Sequence, residues 1–142
     1  MFRLLAIFCG CALFASTMFT TTMLVAQEKP MSRVYELRTY TTHPTRLPAL
    51  LTRFRDHTLK LFEKHGMKNE LYWIPTDEAR KDNTLIYIVS HDSEAAAKKS
   101  WDAFRNDPDW VKARDASEAD GKIVLKVESV FMTLADFSPA AK

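Results

Sequence analysis

Glu36 and Arg38 stand two residues apart in Val34-Tyr35-Glu36-Leu37-Arg38-Thr39-Tyr40-Thr41. That run is rich in β-branched and aromatic side chains and reads as a strand. Successive side chains of a strand point to opposite faces. One face therefore carries Tyr35, Leu37 and Thr39, and the other carries Val34, Glu36, Arg38 and Tyr40. A glutamate and an arginine interleaved with apolar groups have two uses. Arg38 could hold a carboxylate or enolate while Glu36 serves as base. Alternatively the two form an ion pair that sets strand register or a dimer seam, because a buried charge is too costly to leave alone.

Tyr40, Tyr72 and Tyr87 are candidates to line the same cavity, where a phenol can contact a flat ligand or hydrogen-bond an oxyanion. Their alternative use is core filling by an amphipathic ring. Trp73, on the face opposite Tyr72, is expected in the core. Trp101 and Trp110 are expected to pack against the sheet. The four histidines are His43, His57, His65 and His91. His57 and His65 lie about 12 Å apart along one helix and cannot share a metal. No His-x-x-x-His or Glu-x-x-His pair occurs, so no metal site is expected. His91 closes the most apolar strand, where a cavity mouth would lie. It is a candidate base or haem ligand, or else a surface turn residue. His65, just before Gly66, suits a helix C-terminus, which favours a cation. With only three glycines and no Gly-x-Ser-x-Gly, neither a phosphate-cradling loop nor a serine triad is supported.

These residues are carried by a short list of elements. Strands are expected at 34–41, 69–74, 84–91 and 122–132, with a loop over 76–83. Thr45 is positioned to cap the first helix, with Pro48 in its first turn. Leu47, Leu50, Leu51, Phe54, Thr58, Leu61, Phe62 and His65 form its buried face by three- and four-residue steps. Arg53, Arg55, Asp56, Lys60, Glu63 and Lys64 fall on its wet side, and Gly66 closes it with a left-handed cap. Ser93 caps a second helix that faces Ala97, Trp101 and Phe104 inward. Asp107 and Pro108 start a short third one. The order is β-α-β-β-α-β plus an extra helical turn, the ferredoxin-like α+β arrangement with an antiparallel sheet. Helices on one side leave the other sheet face bare. A bare face carrying Val34, Tyr40, Tyr72, Tyr87 or their neighbours calls for a second copy, pairing face to face into a dimeric barrel.

The chain has 142 residues, 46% hydrophobic and 27% charged, as expected for one globular domain. Its first 26 residues differ from the rest. One Arg3 precedes an apolar run, and no further charge appears before Glu28. That is the pattern of a signal peptide, with cleavage expected after Ala26. Two alternatives are an uncleaved anchor over 4–27, the only membrane contact expected, and a lipoprotein site at Cys11. Both cysteines, Cys9 and Cys11, lie in this segment, so an exported mature chain has neither a disulfide nor a thiol nucleophile. Without Arg3, 19 basic residues face 18 acidic ones, which excludes an electrostatic case for nucleic acid. Residues 27–32 form a polar lead-in, 33–134 the domain, and 135–142 a loose tail.

The strand Val34–Tyr40, with its Glu36-Leu37-Arg38-x-Tyr40 core, resembles the opening strand of NIPSNAP-domain proteins. A first helix ending in Lys64-His65-Gly66 is similar to that family's. So are Trp101-x-x-Phe104 and the following Asp107-Pro108-Asp109-Trp110. The resemblance spans residues 33–134. It implies a dimeric α+β barrel, in a superfamily that also holds haem-degrading enzymes, cofactor-free monooxygenases and lactone isomerases. The family itself implies no established reaction. No cofactor is expected from the residues, haem being the one alternative. The expected activity is binding of a small, mostly apolar ligand, with Glu36, Arg38, Tyr40 and His91 as polar contacts. The alternatives are an oxygenase or isomerase, and a non-catalytic interaction module.

Overall fold

The computed structural model describes residues 33–141, so the export segment and the lead-in up to residue 32 lie outside the described residues. The described residues open with β1 (Val34–Thr42), a central strand paired on both sides. Helix α1 (Leu47–Arg53) follows, then a π-helical turn (Phe54–Thr58) and α2 (Leu59–Lys64). Next come β2 (Lys68–Trp73), β3 (Thr84–His91), α3 (Glu94–Arg105), α4 (Pro108–Ser117) and β4 (Val124–Met132). A single 3-10 turn closes the chain at Pro139–Ala141.

The four strands form one antiparallel sheet in the order β2-β3-β1-β4. This is the ferredoxin-like α+β arrangement of the dimeric barrel proteins, as expected from the element order. Register sets which residues share a face. Glu36 stands opposite Val89 and Phe131, and Arg38 opposite Tyr87 and Ser129. Those residues look toward the helices, where Leu50, Phe54, Phe62, Trp101 and Phe104 complete the core.

Several local expectations hold for physical reasons. The Ser93 hydroxyl accepts from the Ala96 amide, and Asp107 accepts from the Asp109 amide, so both cap helices. Gly66 takes φ +76°, where a side chain would be strained.

Others do not hold. Thr45 does not cap α1. It sits at φ 65°, and its hydroxyl turns to the Pro44 carbonyl at 2.6 Å, leaving Arg46 at the cap position with no side-chain cap. The first helix is not continuous. The π-turn interrupts it, with the Thr58 hydroxyl donating to the Arg53 carbonyl at 3.2 Å. Arg53 is not on the wet side. It is 4% exposed, because α4 packs over the flank of the helix next to Leu50 and Phe54.

The bare sheet face is also differently populated. Val34, Tyr40, Tyr72 and Tyr87 all point to the helices, and their neighbours occupy the bare side. Leu71 and Trp73 are exposed there, so Trp73 is not a core residue of the single chain. Register places Tyr35, Leu37, Ile86, Ile88 and Val130 on that same side. The segment after Ala135 turns back, with the Ser138 amide bonded to the Ala135 carbonyl. Together with Tyr35, Leu71, Ile88 and Met132 it walls a hollow of about 590 Å³. Among the described residues no helix is long and apolar enough to cross a membrane.

Candidate functional site

Glu36 is the polar centre of the fold, 2% exposed and bonded by four donors. Arg38 Nη1 donates to Oε1 at 2.5 Å, and the Ser129 hydroxyl donates to the same oxygen at 2.6 Å. Trp101 Nε1 donates to Oε2 at 2.6 Å, and His91 Nε2 donates to it at 3.1 Å. The donors come from β1, β4, α3 and β3. Burial alone would raise the carboxyl's pKa. The bonds from His91, Ser129 and Trp101, with the Arg38 charge, outweigh burial and lower it to about 2.

Arg38 is fixed from three directions. Its guanidinium lies 4.2 Å from the Trp101 ring centre and 5.5 Å from that of Tyr40, in cation–π geometry. Its Nη2 makes a long 3.4 Å contact to the Tyr40 hydroxyl. Burial works against its charge, but the neighbouring Tyr40, Tyr87 and Glu36 raise its pKa further. Arg38 is therefore a cation at every working pH.

His91 is not at a cavity mouth or in a surface turn. Its side chain is fully enclosed, with Nε2 spent on Glu36 and Nδ1 without a partner among the described residues. A haem iron cannot reach that ring without opening the core, so His91 does not fit an axial ligand. No group of three or more metal-ligating side chains exists among the described residues. His65 does sit at the C-terminus of α2, where Nε2 meets Asp107 Oδ2 at 2.6 Å. Lys64 and then His65 hold the Asp107 carboxyl well below its ordinary range.

The tyrosines separate. Tyr87 is completely buried, 5.2 Å from both Phe54 and Tyr72 between ring centres, and stacked on Tyr72. Burial first, and then Tyr40, raises its pKa well above the usual phenol value. Its hydroxyl has no partner among the described residues. Tyr72 donates to Asn69 Oδ1 at 2.5 Å, and Asn69 in turn bonds Leu59 and Glu63, so Tyr72 ties β2 to α2.

Of the six expected site residues, Tyr40 borders the cleft at the flank of the helices. That cleft, about 200 Å³, lies between β1, β4 and the helices. Its apolar walls include Phe54, Phe62, Phe104, Trp110 and Val127, and its polar wall is Arg53 with Glu118. Arg53 Nη1 donates to Glu118 Oε1 and to the Ser117 hydroxyl, both at 3.2 Å, and its guanidinium lies 5.3 Å from the Trp110 ring centre. Trp110 packs on Phe104 at 4.4 Å. Burial opposes ionisation of Glu118, but the bonds from Lys122 and Arg53 lower its pKa overall.

Glu36, Arg38, Tyr40 and His91 are thus brought together, while Tyr72 stands apart in the core. The contributions of Trp101, Ser129, Arg53 and Glu118 were not foreseen. Nothing in the sequence marked the π-turn, since a smooth helix also keeps Phe54 and Thr58 buried. Such turns recur at functional sites.

Structural relatives share this frame. A NIPSNAP family protein of unknown function from Agrobacterium tumefaciens str. C58 is 22% identical, at a TM-score of 0.64 over 78% of this chain and 96% of that one. SnoaB, a cofactor-independent oxygenase from Streptomyces nogalater, is 16% identical, at 0.52 over 76% and 98%. The ActVA-Orf6 monooxygenase of Streptomyces coelicolor, in complex with Nanaomycin D, is 17% identical, at 0.51 over 75% and 91%. At these identities the likeness is one of fold. No curated protein sequence matches the chain. The sequence profile of NIPSNAP matches residues 35–139, most of the chain and nearly all of its described part, and the chain belongs to the NIPSNAP family.

Proposed function

We propose that this protein is an exported, homodimeric barrel that binds a small, mostly apolar ligand in the cleft between sheet and helices. The cleft itself carries the proposal. Its volume of about 200 Å³ is walled mainly by aromatic rings and has Tyr40 and a buried arginine at hand. Apolar walls with a few placed polar groups are the usual composition of a ligand site. A dry apolar cavity of about 150 Å³ holds benzene, so a one-ring molecule suits this one.

Within this reading Glu36 positions other groups rather than accepting protons. Its four bonds leave no free lone pair, and a group that ionises near pH 2 is a weak base at neutrality. It anchors Arg38, and Arg38 meets the Tyr40 hydroxyl. Because Tyr40 accepts there, its own hydrogen is free for a ligand oxygen in the cleft.

The test is mass spectrometry of small molecules extracted from the purified full chain and from Val127→Trp, whose indole would fill the cleft from β4. A compound carried by the parent and lost from the variant supports the proposal. Equal retention by both sinks it. Export is supported by the apolar run behind Arg3, and N-terminal sequencing of the mature chain should begin at Gln27.

A second reading, cofactor-independent oxygenation, draws support from the fold shared with SnoaB and ActVA-Orf6. It requires the cleft ligand to be oxidised in air without added metal or flavin. An unchanged ligand after aerobic incubation would count against it.

A further inference from the structure

The cleft's polar wall is not electrically neutral, and its arginine is only partly used. Both hydrogen bonds of Arg53 leave from Nη1, while Nε is buried without a partner among the described residues. Nε and Nη2 form the side-on edge of the guanidinium fork, the edge that matches the two oxygens of a carboxylate. An unpaired buried N–H is a cost that native folds rarely leave standing.

The charge count points the same way. Glu118 faces Arg53, but it also accepts from Lys122 Nζ at 3.1 Å. Arg114, another wall residue, pairs with the exposed Asp115 at 2.8 Å. Three cations and two anions therefore meet at this end of the cleft, leaving one positive charge over. Arg46 is matched separately by Asp120. The π-turn begins directly after Arg53, and Thr58 holds the Arg53 carbonyl, so the arginine's backbone is pinned beneath the cleft. The rest of the wall is rings and valines.

We infer that the cleft selects a one-ring apolar body bearing a carboxylate, with the carboxylate seated on the unpaired edge of Arg53 and Tyr40 donating to a ligand oxygen. This deepens the proposed ligand-binding function and rests on it. The excess charge and the unused edge separate such a molecule from its neutral amide of equal size. The amide fills the apolar walls but brings a donor to a donor.

Titration of the full chain with benzoate and with benzamide, followed by heteronuclear NMR, tests this. Benzoate should bind at least tenfold more tightly at pH 7, with shifts centred on Tyr40, Trp110 and Val127. Arg53→Gln should remove the preference, bringing benzoate to the level of benzamide in the same variant. Arg53→Lys, which keeps the charge and loses the fork, should fall between. Should Arg53→Gln fail to fold because Glu118 loses its buried partner, the probe comparison in the parent and in Val127→Trp still decides. Equal affinity for the two probes in the parent, abolished by Val127→Trp, overturns the carboxylate inference and leaves the cleft standing. No binding of either probe, with no shift at Tyr40 or Val127, overturns both.

Discussion

Replacing Glu36 by glutamine keeps its shape and removes its charge, and the four donors around it cannot accommodate the change. The new amide must point either at Arg38 Nη1 or at Trp101 Nε1, and neither can accept. Arg38 also loses its counter-charge in a buried place. Breaking a buried pair in this way costs about 3–5 kcal/mol. Urea unfolding of Glu36→Gln should show a loss of that order, and a midpoint within experimental error of the parent would refute the anchoring role. Acid gives the same loss without mutation. The carboxyl's pKa falls from 4.5 to about 2 on folding, so its stabilisation is complete above about pH 4.5. It declines as protonation proceeds between there and pH 2, and the amount at stake is about 3 kcal/mol. Alternation along β1 was enough to place Glu36 and Arg38 on one face. The other donors were hidden because they arrive from far along the chain, Ser129 being 93 residues away. His91 was misplaced because a polar residue at a strand end resembles a turn residue until its buried acceptor is known.

The starts of α3 and α4 were legible in the sequence, though not the ten-residue length of α4, because their caps are local chemistry, an Oγ or carboxylate meeting an amide two or three residues on. The first helix was less so. A three- and four-residue stripe does not distinguish a smooth helix from one with a π-turn, since both can keep Phe54 and Thr58 buried. Thr45 shows the opposite error. It has the right side chain for a cap and the wrong backbone. A β-branched residue at φ 65° is strained by about 1–3 kcal/mol. Asparagine tolerates that region better. Thr45→Asn should therefore raise the thermal midpoint by a few degrees, equivalent to about 1 kcal/mol. A lower midpoint would mean that the hydroxyl bond to Pro44 outweighs the strain.

The whole sheet has one side shielded by helices and one side bare, with Leu71, Trp73 and Val130 exposed on the bare side. Element order was sufficient to foresee a bare side. Which residues populate it was not, because alternation groups Val34, Tyr40, Tyr72 and Tyr87 on one face without saying which face the helices cover. We propose that a second copy covers it, as the barrel architecture supports. Leu71→Asp should convert a dimer into a monomer in sedimentation velocity without changing the fold by circular dichroism. A monomeric parent chain would refute the pairing.

The four-donor carboxylate has a consequence for the order in which this chain acquires its structure. Its partners lie on β1, β3, α3 and β4, and the last of them comes from the final strand. A chain that has not yet delivered Ser129 holds an incompletely satisfied charge in a partly formed interior. That charge becomes fully satisfied only when β1, β3, α3 and β4 have all docked. Burying Glu36 is therefore expected to couple the sheet and its helices, so that fluorescence and circular dichroism should report one coincident unfolding transition.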